Sequence, residues 1–476
     1  MPPRITDSQR KAVLALLAQG LARDTVAAQV GVTPGQVSAV AAHMKMGTYE
    51  KHGAHATVTQ STQPAGRERV HELLEEIGVV SRKGQTASDL NHILIGVDAE
   101  TDEEVFWNPD PSHGAVNPHM LILGESGFGK TYAICCLLAE LAQSNIPSIV
   151  FDYGQGFATG ASPRYFIDYA KPIEIKASHE GVAINPLQLF PSDVHGPVNV
   201  AQRVADTFQR VYAQIGVQQH TILRQAVLDV MSDKGIIPEN HTSWDHSPPP
   251  FAALQHKLHM YAENPSHPQR RIAASVASHV STMFVFNTFQ DHGLPLDWQD
   301  MLDSRGHVFV IQLKGLDRSL ERAVTEFLLW NFIGFVESVG PGLVRCFVVL
   351  DEAHKLACVP GSPTEKLLRE GRKFGLGLIL ASQQPEDFSK VAFANTATKM
   401  VFQVGDDRSA VSRQLARKVV NSYSFAETAE LITRLPRGWV YFISENVGRV
   451  VRIHAFEERT ARWHQRHARN KLLGIR

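Results

Sequence analysis

Residues 119–141 read HMLILGESGFGKTYAICCLLAEL and combine two apolar segments with a glycine-rich segment between them. The apolar run HMLIL predicts a buried strand, and apolar residues recur at helical spacing after Thr131. Between them, GESGFGKT fits the P-loop pattern: a glycine, any four residues, then Gly, Lys and Ser or Thr. A strand before the loop and a helix after it form the context that this motif requires, so the sequence predicts a phosphate-binding loop.

The residue types in this loop suit phosphate chemistry. Gly127 and Gly129 allow backbone N–H groups to curl around phosphate oxygens, and the helix N-terminus adds its positive dipole. Lys130 is placed to reach the β- and γ-phosphates, and the Thr131 hydroxyl to bind Mg²⁺. We therefore predict ATP and Mg²⁺ as ligands, with the nucleotide held by Gly124, Glu125, Ser126, Gly127, Phe128, Gly129, Lys130 and Thr131.

A second motif, CFVVLDEAH, runs from residue 346 to residue 354. Its apolar residues predict a buried strand that delivers Asp351 and Glu352 to its carboxyl end, where ligands bind in open α/β sheets. We predict that Asp351 belongs to the Mg²⁺ site and that Glu352 orients and deprotonates the attacking water. Asp152 ends another predicted strand, IPSIVFD, and either supports the metal site or caps a turn.

A third motif is LLREGRKFGLGLILASQQPEDFS, residues 367–389. Gln383 follows a predicted strand and would sense the γ-phosphate or the water, if this strand neighbours the one that ends at Asp351. Arg369 and Arg372 precede that strand. A guanidinium in this motif neutralises transition-state charge within the subunit or across a subunit boundary, or it simply covers a solvated helix face.

Short runs rich in Val and Ile alternate with helical segments along most of the chain after residue 90. Such runs are typical of buried parallel strands, so the predicted fold class is α/β, a mainly parallel sheet covered by helices on both faces. Residues from about 196 to 300 interrupt the alternation with long helical patterns, which predicts a helical insertion.

The predicted domains follow from these patterns. Residues 1–50 read as a helix-turn-helix-like module, which either contacts DNA or docks a partner, and residues 51–66 read as a linker. Residues 67–118 supply a helix and a β-hairpin, and residues 119–455 form the ATPase domain. The basic tail, residues 456–476, is predicted to pack with Trp463 on a neighbouring subunit or to touch DNA.

Composition excludes several classes of protein. The chain has 476 residues, of which 43% are hydrophobic, and only four cysteines, so a disulfide-stapled secreted fold is excluded and a cytoplasmic location is expected. The N-terminus is too polar for a signal peptide, and no apolar run approaches the ~20 residues of a membrane span. Each end of the chain has a net charge of +4, and the part between the ends has a net charge of −9. The basic ends either contact a polyanion locally or are charged simply because they are solvated.

Taken in order, the P-loop, IVFDYGQGF, VVLDEAH, REGRKFG and ASQQPED resemble the HerA–FtsK group of ring-forming P-loop ATPases, with HerA-type DNA translocases the most similar. The resemblance covers about residues 90–455. It implies a RecA-like motor domain, a hexameric homo-oligomer and ATP-driven movement of double-stranded DNA through a channel. The resemblance also matches Gln383 to the family's glutamine, which follows its acidic pair. The arginine of the family's basic helix is matched by Arg372 or Arg369, and Arg372 is favoured.

Three functions stay open on the sequence alone. The first is a translocase or helicase that acts on double-stranded DNA with a partner nuclease or processing complex. The second is a secretion- or conjugation-type ATPase that pumps protein or nucleoprotein. The third is a DNA-binding regulator that uses ATP as an assembly switch.

Overall fold

The structure is a computed structural model that describes residues 13, 23–33, 37, 93–286, 288–289, 296–356, 358–383, 388–405, 425–445 and 447–472. The chain divides into two compact units, Met1–Gln63 and Pro64–Arg476.

Within the predicted helix-turn-helix-like module, the described residues include helix α1, Arg23–Val30. It ends at Gly31, whose φ of +68° is readily adopted only by glycine. Val13, Val26, Ala27 and Val37 are buried together. Most of residues 1–50, the linker at 51–66 and the helix predicted after residue 67 lie outside the described residues, so they stay predictions.

In the described part of the second unit, one sheet contains eleven strands. The strands are β1 (Ile93–Asp98), β2 (Glu104–Trp107), β3 (Met120–Leu123), β4 (Ser148–Asp152), β5 (Pro172–Ile175), β6 (Val308–Gln312), β7 (Cys346–Leu350), β8 (Leu376–Ser382), β9 (Thr398–Val401), β10 (Trp439–Ser444) and β11 (Val447–Ile453).

The strand order is β2-β1-β11-β10-β9-β3-β8-β7-β4-β6-β5. The strands from β9 to β5 in this order run parallel, whereas β10, β11, β1 and β2 are paired antiparallel. The strand before the P-loop, β3, therefore lies at the centre, with β8 between it and β7. This arrangement confirms the predicted α/β class with a mainly parallel sheet.

Helices cover both faces of the sheet. In β3, Leu121 and Leu123 join one buried cluster, while Met120 and Ile122 join the other. The helices are α2 (Lys130–Gln143), α3 (Arg164–Ala170), α4 (Ala177–Glu180), α5 (Pro197–Val211), α6 (Val217–Asp233), α7 (Ala252–Glu263), α8 (Arg270–Val285), α9 (Trp298–Asp303), α10 (Arg318–Val339), α11 (Pro363–Glu370), α12 (Lys390–Asn395), α13 (Phe425–Arg434) and α14 (Phe456–Leu472).

Four long helices, α5 to α8, occupy the stretch between β5 and β6 that was predicted to be a helical insertion. Their apolar sides pack into the same buried cluster as α10, through residues such as Phe208, Leu223 and Phe327. None of the described helices combines the length and apolarity that crossing a bilayer requires.

Two strands were not predicted from the sequence. The short β5 contains Pro172, and its residues are mostly half-buried. The other, β11, alternates exposed and buried residues because it lies in the antiparallel part of the sheet. By pairing with both β1 and β10, it joins the predicted β-hairpin to the main sheet.

The expectation that Trp463 packs on a neighbouring subunit or DNA is wrong. The residues from Phe456 form α14, and Trp463 is buried against its own chain, with its ring centroid 4.7 Å from that of Tyr169. Arg459, counted in the sequence as part of a basic tail, is also buried and forms an ion pair with Glu140 of α2. The apolar side of this helix therefore completes the core beside the P-loop helix.

Candidate active site

The P-loop and the carboxyl ends of β7 and β8 surround one cavity of about 290 Å³. The cavity brings together residues from four separate parts of the sequence. They are Ser126, Gly127, Gly129, Lys130, Thr131, Tyr132, Asp351, Glu352, Ser382, Gln383 and Arg437.

The backbone conformation of the P-loop requires glycine at two positions. Gly129 has φ +108°, a value that disfavours residues with a Cβ, and it is followed directly by α2. A Cβ on Gly124 would lie 2.5 Å from Cβ of Phe402, so the loop passes too close to its neighbour for any side chain there. The Glu125 N–H donates to the Gln403 carbonyl at 2.8 Å, which fixes the start of the loop to the chain beyond β9.

The Lys130 ammonium lies within the loop. Its Nζ donates to the carbonyls of Gly124 and Glu125 at 2.6 and 2.8 Å. Burial lowers the pKa of Lys130, and the charges of Asp351, Glu352 and Glu125 oppose that shift. The ammonium therefore lies in the field of the predicted catalytic carboxylates.

Asp351 is the first residue after β7. Burial raises its pKa to about 6, and the charges of Glu352 and Asp152 add to the increase. A hydrogen bond from the Glu352 N–H to Oδ1 and the charge of Lys130 act in the opposite direction. Several negative charges thus meet in a partly dry site, where an added cation is stabilised.

Glu352 has a left-handed backbone, with φ +60° and ψ +50°. A non-glycine residue in this region costs about 1 kcal/mol or more, and such strain concentrates at functional sites. The turn it makes begins a short 3₁₀ helix, Ala353–Lys355, and places the Glu352 side chain along the cavity wall.

Gln383 lies at the cavity because of the strand order. β8 pairs with β3 on one side, with Ser382 opposite Leu123, and with β7 on the other, with Leu380 opposite Leu350. Gln383 consequently emerges between the P-loop and the carboxylates.

Asp152 does not line the cavity. It is buried, and its carboxylate accepts hydrogen bonds from the N–H groups of Gly154, Gly156 and Phe157 and from Nε2 of Gln312. Of the two roles that the sequence left open, these contacts support the turn, and a role at the metal site stays a prediction. The turn also touches the P-loop, because a Cβ on Gly156 would lie 3.0 Å from Cγ2 of Thr131.

Arg369 and Arg372 are not brought to this cavity. Arg369 forms an ion pair with Glu365 one turn earlier on α11, and Arg372 donates to the Val116 carbonyl at 2.6 Å. Both residues precede β8, whose seven residues separate them from the cavity edge by roughly 20 Å. Neither guanidinium therefore lines the cavity of its own chain.

Three residues of the cavity wall were missed by sequence reasoning: Tyr132, Ser382 and Arg437. Tyr132 directly follows the P-loop motif, and its hydroxyl accepts a hydrogen bond from the Phe456 N–H at 3.0 Å. Arg437 is 85 residues beyond Glu352 and belongs to no predicted motif. The sequence offered one indication of its role: Arg437 lies just before the predicted strand WVYFIS, which begins at this edge of the sheet.

The donor set fits Mg²⁺. The hydroxyl of Thr131 and the carboxylate of Asp351 line the same cavity, and oxygen atoms are the ligands that this ion prefers. Burial raises the pKa of Asp351, and the charges of Glu352 and Asp152 add to the increase, so a cation beside this carboxylate would favour its charged form. When bound, the ion would neutralise charge on the phosphate oxygens.

A pH-dependent stability follows from Asp351 in the protein without nucleotide or metal. The folded protein keeps this proton up to about pH 6, whereas the usual value is 3.8, so its stability falls as the pH rises between these values. We expect Asp351→Asn to be more stable than wild type by about 3 kcal/mol at pH 7.5 and by only about 0.5 kcal/mol at pH 4. Urea unfolding at both pH values measures this, and a difference that does not change with pH would contradict it.

Comparisons with known proteins identify similar chains. Residues 112–332 match the family model described as "Helicase HerA, central domain". The chain is 22% identical over 302 residues to the DNA double-strand break repair helicase HerA of Saccharolobus solfataricus, an alignment that covers 60% of this chain and 54% of that relative. The chain thus spans about half the length of this curated relative.

Solved structures share the fold. The VirB4 structure of Thermoanaerobacter pseudethanolicus superposes with a TM-score of 0.60 at 19% identity, covering 77% of this chain and 96% of that one. The plasmid coupling protein TrwB in complex with ADP and Mg²⁺ superposes with a TM-score of 0.50 at 15% identity, covering 71% and 84%. These likenesses confirm the RecA-like P-loop fold, and with the family model they confirm the resemblance drawn from the five ordered motifs.

Proposed function

Because the chain carries the P-loop ATPase core of the HerA–FtsK group, we propose that it hydrolyses ATP and uses the energy to move double-stranded DNA. One observation carries the proposal: the P-loop, Asp351, Glu352 and Gln383 line a single cavity at the carboxyl ends of the central strands. Phosphoryl transfer depends mainly on positioning and charge stabilisation, and this cavity supplies both.

Each residue has a role in the proposed hydrolysis. Backbone N–H groups of the P-loop and Lys130 hold the phosphates, and Thr131 and Asp351 hold Mg²⁺. Glu352 accepts the proton of the attacking water, and Gln383 orients that water beside the γ-phosphate.

In this proposal, the arginines of the REGRKFG motif act only when several copies of the protein assemble. Since Arg369 and Arg372 lie on the edge of the sheet opposite the cavity, they serve a neighbouring copy in a ring, and Arg372 is the favoured residue. The ring is a hexamer in the cytoplasm, and a nuclease or other processing protein acts on the DNA that it moves.

The purified full chain tests the proposal with ATP and linear duplex DNA. We expect ATP hydrolysis that duplex DNA stimulates several-fold, ATP-dependent displacement of streptavidin from a biotinylated duplex end, and loss of both in Lys130→Ala. Absence of hydrolysis would overturn the enzyme proposal.

Hydrolysis that no DNA stimulates would overturn the DNA substrate instead. It would favour the secretion-type alternative, in which the same core moves protein or nucleoprotein. The likeness to VirB4 makes this the second candidate, although at 19% identity it concerns the fold alone.

A further inference from the structure

Arg437 reaches the P-loop from the antiparallel side of the sheet. It precedes β10, which pairs with β9 so that Tyr441 lies opposite Val401. Val401 in turn lies opposite Leu123, the last residue of β3. Because β10 is antiparallel, its beginning is at the edge where β3 and β9 end, and the residue just before it comes to the same place as the P-loop.

The turn that carries Arg437 is fastened to the P-loop. The Gly438 N–H donates to the Phe128 carbonyl at 3.1 Å, and a Cβ on Gly129 would lie 3.9 Å from Cα of Gly438. On its other side, the Gly438 carbonyl accepts a hydrogen bond from the Ile453 N–H of β11 at 2.9 Å. The backbone next to Arg437 is therefore fixed beside the loop.

The charge of Arg437 is available to a ligand. Its side chain is exposed at the cavity wall, and no carboxylate or carbonyl pairs with it in the described part of the chain. Lys130, the other cation of the cavity, already donates to two loop carbonyls. A guanidinium without a partner that faces a phosphate-binding loop fits an oxyanion such as phosphate, to which it can donate two parallel hydrogen bonds.

The strand order indicates which phosphate Arg437 contacts. The carboxylates and Gln383 follow β7 and β8, on one side of β3, whereas Arg437 precedes β10, on the other side. Water attack at the γ-phosphate belongs to the first side. Arg437 approaches from the second, next to Phe128 and Gly129, where the loop cradles the α- and β-phosphates.

We propose that Arg437 binds the α- or β-phosphate of the nucleotide held in its own subunit. The inference rests on the proposed function, since it assumes that ATP and ADP occupy the cavity. It assigns Arg437 to nucleotide affinity and leaves hydrolysis to Glu352 and Gln383, so ADP and ATP should depend on it equally.

Equilibrium binding of fluorescent ADP and of a slowly hydrolysed ATP analogue tests this with full-length Arg437→Ala. We expect both affinities to fall 10- to 100-fold, as for the loss of a hydrogen bond to a charged group, while kcat at saturating ATP stays within about threefold. Arg437→Lys keeps the charge but loses the fork, and we expect an intermediate loss.

Arg434→Ala is the matched control. Arg434 lies three residues earlier on α13, is exposed, pairs with Glu430 and does not line the cavity, so its removal should leave both affinities unchanged. Unchanged affinities in a folded Arg437→Ala would overturn the inference, as would a loss confined to the ATP analogue or to kcat. If wild type binds neither nucleotide, the proposed function itself fails.

Discussion

Replacing Glu352 with glutamine should lower the rate of ATP hydrolysis by 10²- to 10⁴-fold, the usual contribution of a general base, while leaving ATP affinity within a few-fold of wild type. The variant keeps the size of the side chain and a hydrogen-bonding oxygen. It loses the capacity to accept a proton from water at neutral pH. We therefore expect the variant to bind ATP and stop before cleavage.

The backbone makes this substitution informative. Glu352 already occupies the left-handed region, and glutamine carries the same strain there because its Cβ is the same. The Asp351 carboxylate still accepts the residue 352 N–H, since that bond is made by the main chain. The comparison thus isolates the acid–base role of one side chain from the shape of the turn.

Single-turnover and steady-state measurements of phosphate release check the prediction, with nucleotide binding measured in parallel. Glu370→Gln is a matched control, because Glu370 is an exposed glutamate at the end of α11 and does not line the cavity. Wild-type turnover in Glu352→Gln would show that another group activates the water, and the mechanism proposed for this cavity would fail.

The sequence predicted those parts of the site that follow parallel strands. Lys130, Asp351 and Gln383 each come shortly after a run of buried apolar residues, and the carboxyl ends of parallel strands meet at one edge. Local pattern and sheet geometry therefore act together there. Apolar runs and the predicted hairpin together accounted for nine of the eleven described strands.

The remainder of the site depends on pairing that no local pattern encodes. Arg437 reaches the cavity only because β10 runs antiparallel to β9, which reverses the end of the strand that faces the ligand. Asp152 follows the same strand rule as Asp351, yet the glycine-rich turn after it saturates its carboxylate with N–H donors. Trp463 lies in a segment with a strongly polar sequence, so its burial follows from tertiary packing alone.

Replacing Arg459 with methionine should destabilise the protein by about 3–5 kcal/mol, the cost of breaking a buried ion pair on one side. Arg459 is 1% exposed and its Nη1 lies 2.9 Å from Oε1 of Glu140, which is equally buried in α2. The guanidinium also donates to the carbonyls of Leu94, Ile95 and His454. One side chain thus joins the P-loop helix, the β1 strand and α14.

The loss of stability in Arg459→Met has two separable parts. Without Arg459, the Glu140 carboxylate is left buried without its cation, and three carbonyls lose a donor. Glu140→Gln in the Arg459→Met background removes the first cost and leaves the second, so we expect it to recover part of the lost stability. Full recovery would mean that the carbonyl contacts contribute nothing.

Arg452→Ala provides the contrast, because Arg452 and Glu458 form an ion pair whose side chains are 42% and 39% exposed. An exposed pair contributes about 0.2–1 kcal/mol, so this variant should unfold close to wild type in urea.

Burial raises the pKa of Glu140, and Arg459 holds that increase back. Arg459→Met should therefore lose stability more steeply than wild type as the pH rises above the usual glutamate range, because the folded variant retains the Glu140 proton longer than the unfolded chain. A flat difference between the two proteins from pH 5 to pH 8, or a loss no larger than that of Arg452→Ala, would contradict a structural role for this buried pair.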